Sequence, residues 1–530
     1  MEKLDIIIRN ARVVDGTGAP WFRADVGIFG DRIAAVGKII EATALEQIDA
    51  NGSYLSPGFI DSHTHDDVAL LDDPQHAAKL FQGVTTVVVG NCGFSNYPSA
   101  GKEETFQHLA SLLGEVKRNQ MFVDFSSYRD RLNAAGLALN LVSLVGHGPL
   151  RLAVMGFALR EATTGEIDQM CRLLGRQLHQ GAHGLSLGLA YPPSAYAGRR
   201  ELVRLAEVVK EYDRLLAAHI RSYGGELLES IQEFLDILKA SGAKGLLSHL
   251  QVAGKPYWGM MPRALDLIEE ARNEGVDVSV DMYPYPAGSS TILQLLPPSA
   301  QEGGVAALLS RLVVGAERER IRQLTESGAE PGWESKIALI GWDQVRIGSA
   351  SHPELKRFEG KTFWEAANLS GLSPFEFTLH AIQLDEGRTN IIMFQLSEED
   401  LRVVHQYRLQ MVGSDSIPRQ GGKPHPRMFG SFPRVIGRLA MKERLIPLEE
   451  AARRMTSLPA QRFQLLDRGI IRPGLIADLA LFSDEFLDRA TFEDPQLNPT
   501  GLEGLWVNGV RTVKLGNILA ELPGSVITRQ

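Results

Sequence analysis

Eight short apolar runs, each ending at a polar residue or a glycine and leading towards a helical stretch, constrain this fold most. They are Gly58–His63, Val84–Gly90, Leu139–Val145, Gly184–Gly188, Leu215–His219, Gly245–His249, Val276–Tyr283 and Leu409–Ser414. Many follow one another at about 30 residues, the length of a strand–helix unit. Eight parallel units close into a (β/α)8 TIM-like barrel, an α/β fold. No sequence repeat accompanies this structural one. The gap from Tyr283 to Asp415 is too long for one unit, which places a long insertion, about 289–401, before the last barrel strand. Much of it is charged and reads as helix, as in the stretch 307–327. An insertion at a barrel mouth is expected to be a lid or a specificity element rather than a surface ornament.

Both ends of the chain read differently. Residues 4–49 alternate apolar and polar with frequent Gly and Asp, and residues 469–516 do the same around a Val507-Asn508-Gly509 hairpin signal. The expectation is one small β-sandwich domain built from both termini (1–56 and 465–530) around a barrel spanning 57–464. Two separate β appendages are the alternative.

The chemistry-bearing residues sit at the C-terminal ends of the apolar runs. His63 and His65 end the first run. In a strand, residues i and i+2 share a face, so both imidazoles are expected to face the barrel mouth. Cys92 follows the second run between glycines at 90 and 93, His219 closes the fifth, His249 the sixth, and Asp415 follows the eighth. Taken singly, a strand-end His is a core residue and a lone Cys a small buried hydrophobe. Taken together, four His, one Cys and one Asp on one rim form a ligand set. Imidazole with thiolate suits Zn2+, whereas Mg2+ and Ca2+ want oxygen. A thiolate can bridge two ions, and an Asp beside zinc-activated water is placed to move its proton. His147 after the third run, His183 before the fourth, Cys171 in a helical stretch and the charged face 317–322 read as structural.

Composition removes other classes. Lys and Arg number 55 against 64 Asp and Glu, a net charge of −9, so a phosphate backbone has no electrostatic attraction for this chain. No long basic run suits an anionic membrane surface, and no apolar stretch reaches a membrane span. Two cysteines exclude a disulfide framework, and the N-terminus lacks the pattern of a secretory signal. The expectation is a cytoplasmic protein with a small-molecule substrate, without nucleic-acid or membrane partners, and with homo-oligomerisation open.

At this point the chain resembles the amidohydrolase superfamily, and within it the N-acyl-D-amino-acid deacylase (D-aminoacylase) family. The residues carrying the resemblance are PGFIDSHTHDD, VVVGNCGFS, GLSLGLAYPPSAYA, AAHIRS, SHLQ, DMYPYPAGSS, GSDSIP and HPRMFGSFPR. The Cys after the second strand is the specific mark, since most binuclear relatives bridge their metals with a carboxylated Lys. The resemblance implies a tight zinc at Cys92, His219 and His249, and a weaker or absent second site at His63, His65 and Asp415. It implies that Asp415 is the general acid/base, and that Tyr283, Ser289 and Arg427 hold the substrate, with Tyr283 also donating to the developing oxyanion. The family often has a Lys where this chain has Gln251, so recognition of the α-carboxylate departs from the family pattern there.

The function these residues support is zinc-dependent hydrolysis of the linear amide of N-acyl-D-amino acids. Gln251 keeps a rival alive in the same fold, a hydrolase of a cyclic amide or of an uncharged N-acyl compound. A non-catalytic barrel protein is the rival from another class, and the intact ligand set argues against it.

Overall fold

The computed structural model describes residues 3–40, 42–99, 101–419 and 421–529. Strands from the two ends of the chain meet in one nine-stranded sheet. The join is the antiparallel pairing of Tyr54–Pro57 with Leu479–Phe482. Ile8, Val26, Leu55, Leu481 and Trp506 form a core inside this unit, separate from that of the barrel. The hairpin joining Leu502–Val507 to Val510–Lys514 turns through Asn508 and Gly509, with φ of 48° and 79°. Two positive φ values in a row are what a two-residue type I′ turn requires.

The barrel strands are Phe59–Asp61, Val84–Val89, Asn140–Ser143 continued by Val145–Gly146, Gly184–Gly188, Leu215–His219, Lys244–Leu247, Val278–Met282 and Gln410–Val412. Neighbours pair in parallel from the first to the third and from the continued third through the seventh to the eighth. The ring closes between the eighth and the first. Ser62 N donates to Val412 O at 3.4 Å, Asp415 N to His63 O at 2.7 Å, and His65 N to Ser416 O at 2.9 Å.

The phase of these strands explains their unbroken apolarity. Ile60, Val88, Val142, Leu215, Ala217, Leu246 and Met411 pack with one another and with Leu458 and Phe463 in one cluster. Their sequence neighbours Val87, Val89, Leu141, Leu216, Ala218 and Leu247 belong to the cluster shared with the surrounding helices. Each strand is buried on both faces, so both phases must be apolar. His219 continues the inward phase of Leu215 and Ala217 and therefore points into the mouth.

The same phase corrects one expectation. The first strand ends at Asp61, so His63 and His65 do not lie within it. Ile60 points inward, and a continued strand would carry Ser62 and Thr64, not the histidines, to the interior. The chain leaves strand geometry first and re-aims the pair.

The insertion is an α/β unit with its own core. Gly288–Thr291, Val345–Ser349 and Asn390–Met393 form a three-stranded antiparallel sheet. Ile292, Leu308, Ile347, Phe363, Phe377 and Ile391 pack around it. The charged stretch 307–327 lies in two helices, Gly304–Leu312 and Gly315–Ser327. Helix Glu398–Gln406, which straddles the expected end of the insertion at Leu401, packs on helix Met261–Asn273 of the barrel ring. Among the described residues no helix is long and apolar enough to cross a membrane.

Candidate metal and active site

Three of the expected ligands sit in left-handed backbone. Cys92, His249 and Asp415 have φ of 53°, 35° and 50°. Each lies just past a strand end, at a turn sharp enough to swing its side chain over the barrel axis. Non-glycine residues adopt this region at a cost, and such strain gathers at functional sites. The Cys92 turn also needs its surroundings to be bare. A Cβ on Gly188 of the fourth strand would fall 1.9 Å from Cys92 O, so only glycine lets this loop approach.

The turns gather two buried donor groups that share one sulfur. His63, His65, Cys92 and Asp415 form one, and Cys92, His219 and His249 the other, with the donor atoms of each within 4.8 Å of one another. Cys92 Sγ lies 3.3 Å from His63 Nε2 and 3.4 Å from His249 Nε2. Asp415 Oδ1 lies 3.2 Å from His65 Nε2 and 3.5 Å from His63 Nε2. Imidazole, thiolate and carboxylate donors in this arrangement fit zinc, and the shared sulfur fits a bridging position between two ions.

Electrostatics agree with the donor set. Burial pushes the Cys92 thiol up, but His63 and His249 overcome it and hold the thiol well below its ordinary range. Burial likewise opposes ionisation of Asp415, and Arg427 and His63 hold it well below the usual carboxylate range. His65 is desolvated too, yet Asp415 and Cys92 raise it to about 9, while burial and the neighbouring His249 push His219 down to about 4. Two anions thus stand among four imidazoles, an arrangement a divalent cation would complete.

Supporting residues hold the ligands, and the sequence reading missed them. Asp281 lies 3.3 Å from His63 Nδ1 through one oxygen and accepts from His249 N at 2.7 Å through the other. A carboxylate on the far nitrogen of a ligating His fixes its tautomer and orientation. Lys79, fully buried, donates to Asp61 at 2.5 Å, Ser414 at 2.7 Å and Ser416 at 2.8 Å. Asp61 also accepts from Ser414 N at 2.8 Å, so the network ties the first strand to the eighth directly beneath the ligands. Asp281 has a faint signal, lying on a strand two residues before Tyr283. Lys79 has none.

The expected substrate residues reach the same place. Tyr283 donates to Gln251 Oε1 at 3.0 Å, and both line the cavity over the metal ligands together with Ser289. Arg427 lies behind them. Its Nη1 is 2.8 Å from Asp415 Oδ2, its guanidinium stacks 4.6 Å from the Tyr283 ring centroid, and Nη2 donates to Ser289 O at 3.3 Å. The sequence places Arg427 on the substrate; the structure sets it against the carboxylate of Asp415. The insertion supplies Ser289, Gln294, Lys336 and Met393 to the cavity wall. A second, narrow cavity, of about 40 Å³, adjoins the first through Ala190, Tyr191 and Gln294 and is walled by Phe94, Phe157, Leu293, Leu308 and Trp333. His147 pairs with Glu201 at 2.7 Å, His183 is buried, and Cys171 stands half-buried in helix Thr164–His179; none joins a donor group.

A parallel barrel whose mouth carries two thiolate-linked His/Asp donor groups defines a metal-dependent hydrolase fold of the kind the sequence motifs suggested. The amidohydrolase family model matches residues 46–346 and 406–513, leaving out part of the insertion, and the chain belongs to that family. It is 37% identical over 510 residues to an N-acyl-D-glutamate deacylase of Alcaligenes xylosoxydans xylosoxydans, covering 96% of this chain and 93% of the relative. A D-aminoacylase of the same organism is 33% identical over 529 residues, covering 100% of this chain and 98% of the relative. Among solved structures, the N-acyl-D-glutamate deacylase of Bordetella bronchiseptica, complexed with zinc and a phosphonate mimic of the tetrahedral intermediate, superposes with a TM-score of 0.86 at 34% identity, covering 100% of each chain.

Proposed function

We propose that this protein hydrolyses the linear amide of N-acyl-D-amino acids, adding water across the C–N bond to give a carboxylate and a free D-amino acid. The observation that carries the reading is Cys92, one buried sulfur shared by two donor groups, in a chain that matches N-acyl-D-amino-acid deacylases over nearly its whole length. Cys92, His219 and His249 would hold a tight zinc, and His63, His65 and Asp415 a second, weaker one. Zinc supplies polarisation of the scissile carbonyl and a water whose pKa falls towards 7.

The protein's own groups do the rest. Asp415, kept anionic by Arg427 and His63, takes the proton of the attacking water and passes it to the departing nitrogen. Burial pushes the Tyr283 phenol up, so Tyr283 stays a neutral donor, placed to stabilise the developing oxyanion. Ser289 and Gln251 form the polar wall for the amino-acid moiety, with Arg427 positioning Ser289 and Tyr283 from behind, and the apolar cavity beside it receives the acyl chain or an apolar side chain. The insertion acts as lid and specificity element.

Gln251 favours a second reading, a deacylase of uncharged N-acyl compounds, because it puts a neutral amide where a cation is common. One screen separates the two. N-acetyl D- and L-amino acids and their α-amides are incubated with the zinc-loaded protein, and released amine is measured. The proposal expects the D-acids to lead. Preference for the α-amides selects the second reading, and no release from any member rejects both.

A further inference from the structure

Lys336 opens the short helix Lys336–Ile340 of the insertion, yet it lines the metal cavity beside Gln251, Tyr283 and Ser289. Its position is built. Glu334 accepts from Gly225 N at 3.1 Å and from the Tyr257 hydroxyl at 2.8 Å, and Gly332 N donates to Glu226 at 3.0 Å. Ser335 caps the helix at Ala338 N, 3.0 Å away. Leu339 packs so closely on the loop after the sixth strand that a Cβ on Gly254 would lie 3.1 Å from it. The insertion is thus clamped onto the loops after the fifth and sixth barrel strands, and the second of these carries Gln251.

The other cations near the cavity are engaged. Arg221 spends Nε on Glu233, at 2.8 and 3.0 Å, and its two Nη atoms on the carbonyls of Ala195 and Ala197, at 2.8 and 2.7 Å. Arg427 holds Asp415. Lys336 is half-buried, and burial lowers its pKa with only Glu334 opposing, through a charge already bonded elsewhere. Desolvating an ammonium is costly unless an anion meets it. We infer that Lys336, delivered by the insertion, is the cation that binds a substrate carboxylate, on the wall where Gln251 brings no charge.

The inference rests on the deacylase reading, and its test keeps the two apart. Three near-isosteric probes place carboxylates differently: N-acetyl-D-glutamate has two, N-acetyl-D-glutamine only the α-carboxylate, and N-acetyl-D-isoglutamine only the side-chain one. Their affinities are measured by calorimetry in the Asp415→Asn background, with Lys336 intact, Lys336→Met and Lys336→Arg, and kcat and KM in the wild-type background. Lys336→Met is expected to weaken binding about ten- to a hundredfold, the worth of a charge-assisted hydrogen bond, for probes carrying the carboxylate it holds. The probe lacking that carboxylate should be unaffected, which tells the α- from the side-chain source. Lys336→Arg should recover most of the loss, and the wild-type-background effect should fall on KM with kcat kept. Equal effects on all three probes, no effect, or no binding of any probe with Lys336 intact overturns the inference. Selective loss of binding in a protein that never releases amine upholds Lys336 and rejects the deacylase reading instead.

Discussion

Arg427→Met tests the centre of the proposed chemistry, because Arg427 is the largest opposing influence that keeps the buried Asp415 ionised. The contact is 2.8 Å long, with Asp415 and Arg427 at 7% and 1% exposure. A guanidinium this close to a carboxylate lowers its pKa by about one to three units, so losing the ion pair should raise the Asp415 pKa by about that much, at about 1.4 kcal/mol per unit. The sign is fixed: Asp415 works as the anion, so activity is lost as pH falls through its pKa, and raising that pKa moves the acid limb of kcat to higher pH. Tyr283 and Ser289, which Arg427 holds from behind, should be disturbed as well, with kcat/KM for N-acyl-D-amino acids at neutral pH down about ten- to a hundredfold. The assay is released D-amino acid against pH for wild type, Arg427→Met and Arg427→Lys, with zinc content checked in each. The lysine variant keeps the charge, so its acid limb should stay near that of the wild type while its affinity falls through loss of the planar fork. An Arg427→Met acid limb unmoved from the wild type would refute the pairing of Arg427 with the acid/base, and a loss confined to KM would leave it a substrate ligand alone.

Cys92→Ala should lose both zinc and turnover, because one sulfur serves both donor groups; full zinc by elemental analysis with full rate would reduce Cys92 to a core residue. Asp415→Asn should keep most of the zinc held by Cys92, His219 and His249 while kcat drops about two to four orders of magnitude, the usual worth of a general acid/base, and a smaller loss than tenfold removes Asp415 from that role. His405 is desolvated beside Arg454 and pushed down to about 4. The unfolded chain therefore takes up its proton first, and folding stability should fall between about pH 6.5 and 4, with a slope from this residue of at most about 1.4 kcal/mol per pH unit. Denaturant melts of wild type and His405→Leu at several pH values check this: the variant should show the shallower dependence, and identical slopes would mean that His405 does not titrate in that window.

How much of this could be read from the chain follows from what its periodicity encodes. A barrel buried on both faces must make its strands continuously apolar, so the strands announce themselves, and residues just past their C-terminal ends converge whatever the detailed backbone does. That is why six converging donor residues on the rim were legible although the first strand stops at Asp61 and His63 and His65 lie beyond it. What stayed hidden has no periodic signature. Lys79 reads as one lysine in a short helix, yet its ammonium joins the first and last strands under the site. The pairing of Arg427 with Asp415 depends on how the segment after the eighth strand folds back from Asp415 to the helix that Arg427 opens, and a motif gives each residue without giving their contact. The insertion is the extreme case. Its helices and core are recognisable as such, but where Lys336 lands depends on Glu334 reaching Gly225 and Tyr257, residues about 80 to 110 positions away. The chemistry of this protein is therefore written in its strand ends. In the proposed function the choice of substrate falls to a segment docked on them, which the family match at 46–346 and 406–513 only partly spans.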